Sequence, residues 1–303
     1  MPRSFLLLIA IFCLAAFQAR AGTVAVISSD SSAPYGEFVS ALTDDLKQSN
    51  WRIASIRTAD NPGHSDGVDL VITAGSEALR QALQRNSGIP ILATLLARQS
   101  YEQILRETPA GSLAARRISA IFLDQPPERQ AAFIRKLLPG QRQIAAVFGP
   151  ETRHLTAPYR QAFADAGLTL SSEEAIDDST TLAALNTLLP RNAVLLALPD
   201  SRIYRRNTIK AILVTAFRYQ RPVIGYSAAF AKAGGLAALY STPAQIAYQA
   251  AHILSAHGTA LPPPTSPRLF SITVNDDVAA ALGLNLKDAD SLLQSLQADK
   301  ELR

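Results

Sequence analysis

The chain has 303 residues, of which 48% are hydrophobic and 18% are charged, so it is long enough to bury one or two cores of ordinary domain size. Its 29 basic and 25 acidic side chains almost balance, and no cluster of Lys and Arg is large enough to bind a polyanion, which excludes a nucleic-acid partner. A single cysteine excludes a disulfide framework, so the stability of the fold must come from its cores.

The first 21 residues have the layout of a secretory signal peptide. Arg3 supplies a positive charge, residues 5–17 form an unbroken apolar run, and Ala19-Arg20-Ala21 is a small-x-small cleavage site before Gly22. The apolar run is too short to cross a bilayer comfortably. Cys13 lies inside this run rather than after it, so no lipid anchor is expected. The sequence predicts export to the periplasm as a free soluble protein; the alternative is a retained signal anchor, because Arg20 is unusual in a cleavage site.

Short apolar runs alternate with amphipathic stretches along the rest of the chain. Several runs, such as residues 194–198, lack polar alternation, as expected of strands buried on both faces of a parallel sheet. The stretches between them repeat apolar residues at helical spacing, for example Phe38, Leu42 and Leu46. The pattern predicts an α/β fold. The predicted strands are residues 23–28, 51–57, 69–74, 90–96, 118–123, 143–148, 192–198, 222–226, 235–241 and 269–274.

Catalytic and cofactor signatures are mostly absent from the sequence. No glycine-rich dinucleotide motif or phosphate-binding loop occurs, and the four histidines lack metal-ligand spacing. The segment Gly225-Tyr-Ser-Ala-Ala229 resembles a nucleophile elbow around Ser227, but its last position should be glycine. A secreted serine hydrolase is therefore only an alternative, and no enzyme activity, cofactor or metal is expected.

Polar side chains instead follow the apolar strands, at the carboxyl ends where open parallel sheets bind their ligands. They include Ser29 and Asp30 after the first predicted strand, Ser76 after the third, Glu151 after the sixth and Asp200 after the eighth. Ser76 precedes a predicted helix, so it is expected either to cap that helix or, with the helix N–H groups, to bind a carboxylate. Asp30 and Asp200 are also candidates for helix caps.

The most specific motifs lie in the last third of the chain. They are Asn-Ala-Val-Leu-Leu-Ala-Leu-Pro-Asp at residues 192–200, the segment 222–240, and residues 269–275 followed by Ala-Ala-Ala-Leu-Gly-Leu at 279–284. These segments resemble the ABC transporter substrate-binding protein family that includes tryptophan- and tyrosine-binding members. Weaker matches in the first half extend the resemblance over nearly the whole chain after the signal peptide, at residues 71–78, 89–93 and 118–122.

The resemblance implies the type I periplasmic binding fold, with two doubly wound parallel-sheet lobes joined by three crossovers. The crossovers are expected near residues 124–127, near 227–230 and within the proline-rich segment 261–267. Closure of such lobes about a hinge traps a ligand between them. The implied lobes are residues 22–124 with 228–262, and residues 125–227 with 263–303.

The same resemblance implies where a ligand binds and what the protein does. Asp200 matches the family at its strand end, and its carboxylate suits a ligand ammonium group. The function implied is that of a monomer that binds a small polar or amphipathic molecule, such as an amino acid, and delivers it to an ABC permease in the inner membrane. The implied ligand-binding residues lie on both lobes and are Ser29, Asp30, Ser76, Glu151, Asp200, Tyr226 and Tyr240.

Two departures from the family leave the ligand open. Residues 93–97 are apolar where the family often has a polar pair, and residues 149–152 read Gly-Pro-Glu-Thr where an Asn-rich loop is expected. A periplasmic sensor or adaptor that reports a ligand to a membrane signalling protein is an alternative with the same fold.

Signal cleavage is tested by the intact mass of the exported protein. We expect the mature chain to begin at Gly22 and to fractionate with soluble periplasmic proteins, since Ala19 and Ala21 form a processing site. Mass spectrometry and N-terminal sequencing of the periplasmic fraction measure this start. A chain that retains Met1, or one that carries a diacylglycerol, would contradict the prediction.

Overall fold

The computed structural model describes residues 21–61, 67–85, 88–114, 117–205 and 207–299. The predicted signal peptide lies outside these residues, apart from Ala21. Within the described ranges no helix is both long enough and apolar enough to cross a membrane. These ranges form two sheets, and helices pack on both faces of each sheet.

The first sheet is built from the first part of the chain. Its strands are β1 (Gly22–Ser28), β2 (Trp51–Thr58), β3 (Leu70–Ala74), β4 (Ile91–Leu96) and β5 (Ile118–Phe122). The helices that follow these strands are α1 (Ala33–Leu46), α2 (Ser76–Gln84), α3 (Arg98–Glu107) and α4 (Ala110–Ala114). All five strands are parallel, in the order β2-β1-β3-β4-β5.

The second sheet has six strands. They are β6 (Gln143–Phe148), β7 (Thr169–Glu174), β8 (Val194–Leu196), β9 (Val223–Gly225), β10 (Ala237–Tyr240) and β11 (Ser271–Val274). The α-helices in this part of the chain are α5 (Pro127–Leu137), α6 (Thr156–Asp165), α7 (Asp178–Leu188), α8 (Ile209–Arg218), α9 (Ala228–Lys232), α10 (Pro243–His257), α11 (Asp276–Ala281) and α12 (Ala289–Gln297). The strand order is β11-β10-β9-β8-β6-β7, and only β11 runs antiparallel to its neighbour.

Each sheet has an apolar core on both of its faces. Helices α1 and α10 cover one face of the first sheet, and α2 and α3 cover the other. In the second sheet, α5, α6 and α12 cover one face, while α7, α8 and α9 cover the other. Because helices pack on both faces, strands such as β3 and β4 are buried along their whole length, which accounts for their mostly apolar sequences.

The predicted α/β class is confirmed, and each of the ten predicted strand segments contains a strand. Among the strands of the described chain, only β7 was not predicted from the sequence. Leu170 is the only apolar residue of this edge strand and its only buried one, so β7 gives none of the hydrophobic signal on which strand prediction depends.

One predicted boundary between the lobes is wrong. Residues 228–240 were expected in the first lobe, but β10 pairs with β9 and β11 of the second sheet. The chain returns to the first sheet only after Tyr240, where α10 begins and packs with α1 on that sheet. The three crossovers between the sheets are residues 123–126, 241–242 and 266–270.

A buried hydrogen-bond network joins all three crossovers. Gln125 Nε2 in the first crossover donates to Ser241 Oγ in the second at 2.9 Å, and Ser241 Oγ donates to the carbonyl of Leu269 in the third at 2.6 Å. Arg129 Nη1 donates to Gln125 Oε1 and to the carbonyl of Pro267, both at 2.8 Å. Gln125 and Arg129 are each 5% exposed and Ser241 is 8% exposed. We call Gln125, Arg129 and Ser241 the hinge network.

Replacement of Gln125 tests the contribution of the hinge network to stability. We expect Gln125→Ala to lower the free energy of unfolding by about 2–3 kcal/mol, because it removes two buried hydrogen bonds, those of Gln125 with Arg129 and with Ser241. Gln143→Ala, at the exposed start of β6, is the matched control and should change stability by about 0.5 kcal/mol or less. Urea denaturation measures both variants. Equal stabilities of the two variants would contradict the prediction.

Candidate functional site

Two loops at the carboxyl edge of the first sheet, residues 28–32 and 75–77, lie against each other and are called the first rim. Ser29 Oγ accepts a hydrogen bond from the N–H of Ala78 at 3.1 Å, so the first turn of α2 is capped from the other loop. Gly75 permits this contact because its φ is 95° and because a Cβ atom there would collide with Ser29 Oγ and with the Tyr35 hydroxyl.

Ser76 is not the helix cap that was one of its two expected roles. It is the first residue of α2, and Gly75 occupies the N-cap position without a side-chain hydrogen bond. The half-exposed Ser76 therefore lies at the positive end of the α2 dipole, within the first rim. This position leaves its hydroxyl group available to a ligand.

Asp30 is exposed on the first rim, where it closes the turn that leads into α1. Its Oδ1 accepts a hydrogen bond from the N–H of Ser32 at 2.7 Å. Hydrogen bonds from the Ser32 hydroxyl and N–H lower the pKa of Asp30 below its usual value. The carboxylate is consequently ionised at neutral pH and gives the first rim a negative charge.

Asp124 lies where the first crossover leaves β5. Its Oδ2 accepts a hydrogen bond from the N–H of Arg98 at 2.6 Å. Burial raises the pKa of Asp124, and this bond together with the positive charges of Arg98 and His154 opposes the rise. His154 belongs to the short 3-10 helix Arg153–Leu155 of the second lobe, so the Asp124 carboxylate lies where the two lobes meet.

Asp200 holds together the carboxyl edge of the second sheet, where residues 149–152 and 199–204 form the second rim. Its Oδ2 accepts hydrogen bonds from the Glu151 N–H and the Thr152 hydroxyl, both at 3.0 Å, and its Oδ1 accepts one from the Arg202 N–H at 2.9 Å. From the sequence, the Asp200 carboxylate was expected to meet a ligand directly. At 2% exposure, Asp200 instead joins the two loops of its own rim.

Gly149 and Glu151 complete the second rim. A Cβ atom at Gly149 would lie 2.6 Å from both Asp200 Oδ2 and Ile203 Cγ1, so only glycine allows the two loops to approach this closely. The Glu151 carboxylate accepts hydrogen bonds from the Ser201 N–H at 2.7 Å and from the Ser201 hydroxyl. Its oxygens are therefore used within the rim, although the side chain is partly exposed.

Tyr226 lies beside the second rim in a cluster of aromatic rings. Its ring centroid is 6.0 Å from that of Tyr204 and 5.3 Å from that of Phe230. Burial and the nearby charge of Asp200 raise the pKa of Tyr226 to about 12, so its hydroxyl stays protonated as a hydrogen-bond donor. Tyr204 is buried, and its hydroxyl has no partner in the described chain. The sequence analysis missed Tyr204, because a single tyrosine in a polar segment carries no periodic signal.

Two other candidate residues make structural contacts. The hydroxyl of Tyr240 shares a hydrogen bond with Thr273 Oγ1 of the neighbouring strand at 3.0 Å. Ser227 Oγ accepts the N–H of Phe230 at 3.1 Å and caps α9, as a serine at a plain strand end does. In the described residues no group of three or more His, Cys, Asp and Glu side chains is placed to hold a metal ion.

Replacement of Asp200 tests its role in the second rim. We expect Asp200→Ala to lower the free energy of unfolding by about 3 kcal/mol, because three donors lose a charged acceptor. Asp60→Ala, at an exposed position after β2, serves as the control and should have an effect of about 0.5 kcal/mol or less. Guanidinium denaturation without ligand measures both. The assigned role is wrong if the two variants are equally stable.

Comparisons with known proteins address the fold and the family. None of the curated proteins matches the chain. A substrate binding protein with adhesive properties from Clostridium difficile, in its ligand-free, open structure, has a TM-score of 0.67 at 14% identity, with 90% of this chain and 98% of that chain covered. An ABC domain in complex with L-Trp from Streptococcus pneumonia has a TM-score of 0.58 at 14% identity, with 90% and 97% covered.

A periplasmic ribose ABC transporter structure from Conexibacter woesei has a TM-score of 0.54 at 15% identity, with 90% of this chain and 98% of that chain covered. At these sequence identities the similarity shows the fold alone, which is the type I periplasmic binding fold. A family model provides the evidence for family membership. It matches residues 64–290, which is most of the chain, and the protein accordingly belongs to the ABC transporter substrate binding protein family.

Proposed function

We propose that the protein is exported to the periplasm, binds a small polar or amphipathic solute between its two lobes, and delivers that solute to an ABC permease. The observation that best supports this function is the presence of a polar rim on each sheet in a chain of the substrate-binding family. Both rims lie at the carboxyl edge, where open α/β sheets bind their ligands. A solute between them is contacted by both lobes.

Lobe closure explains how a few polar groups bind such a solute. Closure removes water from the space between the rims, so hydrogen bonds and charges there act in a lower dielectric. The hinge network holds the three crossovers together, so the two lobes are expected to rotate about it while each sheet stays intact. The ligand favours the closed arrangement because only that arrangement lets both rims contact it.

The two rims favour different groups on the solute. On the first rim, Ser76 and the N–H groups at the start of α2 favour an oxygen acceptor. On the second rim, Asp200 forms no ion pair with any described Lys or Arg, and Tyr226 exposes part of its ring beside that charge. A negative charge next to an aromatic ring favours an ammonium group. Amino acids carry both groups, and L-Trp occupies the Streptococcus pneumonia structure, so amino acids are the class to test first.

A thermal-shift screen of the mature protein against L-amino acids, sugars and short peptides tests solute binding. At 100 times its Kd, a bound solute should add about 2.7 kcal/mol to the free energy of unfolding. Gly75→Ala should lose most of this gain, because the new Cβ atom collides with Ser29 and Tyr35 and displaces the first rim. Gly111→Ala is the matched control, since a Cβ atom there has no neighbour within 4 Å.

Delivery to a permease is tested with the solute that the screen identifies. Cells that lack the protein should lose high-affinity uptake of that solute and recover it with the wild-type gene. The proposal fails if no solute stabilises the wild-type protein, or if uptake of the stabilising solute is unchanged in the deletion strain. An unchanged uptake together with altered signalling would favour the sensor alternative.

A further inference from the structure

A cavity of about 800 Å³ lies within the first lobe, between β2 and the first turns of α1. This volume falls within the range of roughly 300–1,000 Å³ that is usual for small-molecule sites. The cavity is continuous with the first rim, because Asp30 contributes to its wall. Tyr35, which also lines it, reaches the rim at Gly75. A solute held at the first rim therefore has room to extend into this cavity.

Six of the polar side chains in the cavity wall are not used by the described part of the protein. Five hydroxyl-bearing side chains and one guanidinium group in its wall form no hydrogen bond or ion pair with the described part of the chain. They differ in this respect from the polar groups of the second rim, where Asp200, Glu151 and Thr152 are all hydrogen-bonded. The unused groups belong to Ser31, Tyr35, Ser40, Ser55, Thr58 and Arg57.

Arg57 is the one cationic side chain among the described residues that line the cavity. Along β2 Ser55 and Arg57 are half-buried and line the cavity, whereas Arg52 is exposed and does not line it. The strand is held in place because the Arg57 carbonyl accepts the Ser28 hydroxyl at 3.3 Å. A half-buried guanidinium group among hydroxyl donors is suited to bind a carboxylate through two parallel hydrogen bonds.

We propose that this cavity holds a carboxylate-bearing arm of the transported solute, with Arg57 as the anchor of that carboxylate. The inference rests on the proposed function and narrows its substrate class. Asp30 places a negative charge at the junction of the cavity with the rim, so the part of the arm that passes Asp30 is expected to be uncharged and its carboxylate to lie deeper, at Arg57. The class that fits is a zwitterion whose side arm ends in a carboxylate.

The inference is tested by isothermal titration calorimetry with acids and their side-chain amides. The probes are L-glutamate, L-aspartate and L-2-aminoadipate, each compared with the corresponding amide. We expect the wild-type protein to bind at least one of these acids about 10-fold or more tightly than its amide, because only the acid pairs with a guanidinium group.

Variants of two arginines of β2 distinguish a specific carboxylate anchor at Arg57 from a general effect of positive charge on binding of the acid. Arg57→Gln should weaken binding of that acid by about 10- to 100-fold and leave binding of the amide nearly unchanged. Arg52→Gln removes the same charge from the exposed face of β2 and should bind like the wild type. The inference is overturned if Arg57→Gln and Arg52→Gln bind the acid equally well.

A second pair of variants blocks the cavity without a change of charge. Gly36 lines the cavity, and a Cβ atom there has no neighbour within 4 Å, so Gly36→Ala should fold normally and serves as the control for stability. Gly36→Leu extends a side chain into the cavity and should weaken binding of the acid by about 10-fold or more. Wild-type affinity in Gly36→Leu would exclude the cavity as the site of the carboxylate.

The outcomes distinguish this inference from the proposed function. If a neutral amino acid or a sugar binds the wild type and none of the three acids does, the protein still binds a solute but the carboxylate anchor is wrong. If no solute of either kind binds, the proposed function itself fails.

Discussion

The chain crosses between the two lobes three times, and the three crossings meet at one place. The backbone polar groups there cannot all be satisfied by the hydrogen bonds of a regular sheet. Gln125, Arg129 and Ser241 satisfy them through side chains that join all three crossings. The Arg129 guanidinium also lies 4.6 Å from the ring centroid of Phe270, and burial lowers its pKa against the opposing charge of Glu128. Such a buried polar group is costly to unpair, so we expect the three crossings to stay joined when the lobes move.

The two rims differ in how many of their polar groups form hydrogen bonds within the protein. This difference follows from how closely the two loops of each rim approach each other. In the second rim, the close approach of the two loops at Gly149 lets the Asp200 carboxylate accept hydrogen bonds from three donors. Its oxygens are therefore occupied within the protein, and Asp200 contributes mainly its negative charge to the candidate site. In the first rim Ser29 is used in the same way, but Ser76 and the neighbouring cavity around Arg57 are not. We therefore propose that the first lobe supplies most direct polar contacts and the second lobe supplies charge and an aromatic surface.

The sequence was sufficient for the fold class because buried parallel strands such as β8 carry unbroken apolar runs. The sequence was insufficient for β7, because an edge strand needs little burial and so carries little hydrophobic signal. It was also insufficient for the lobe boundary at β10, because the pairing of the strand within residues 228–240 depends on contacts between residues that are distant in the chain. In the candidate site, Ser29 and Asp200 could be predicted because both residues follow the ends of predicted strands. Their burial and hydrogen bonds could not be predicted, since they depend on Gly75 and Gly149, where the missing side chains let separate loops meet.

The central claim is that a solute binds between two lobes that close about the hinge network. Because Cys13, the single cysteine, lies in the predicted signal peptide, the mature chain can be labelled at two introduced cysteines only. Asp60→Cys and Glu174→Cys place spin labels at exposed positions beside the edge strands of the two sheets. Double electron–electron resonance then measures the distance between the lobes. The claim predicts a shorter and narrower distance distribution at saturating solute, and an unchanged distribution with a solute that demonstrably binds would contradict it.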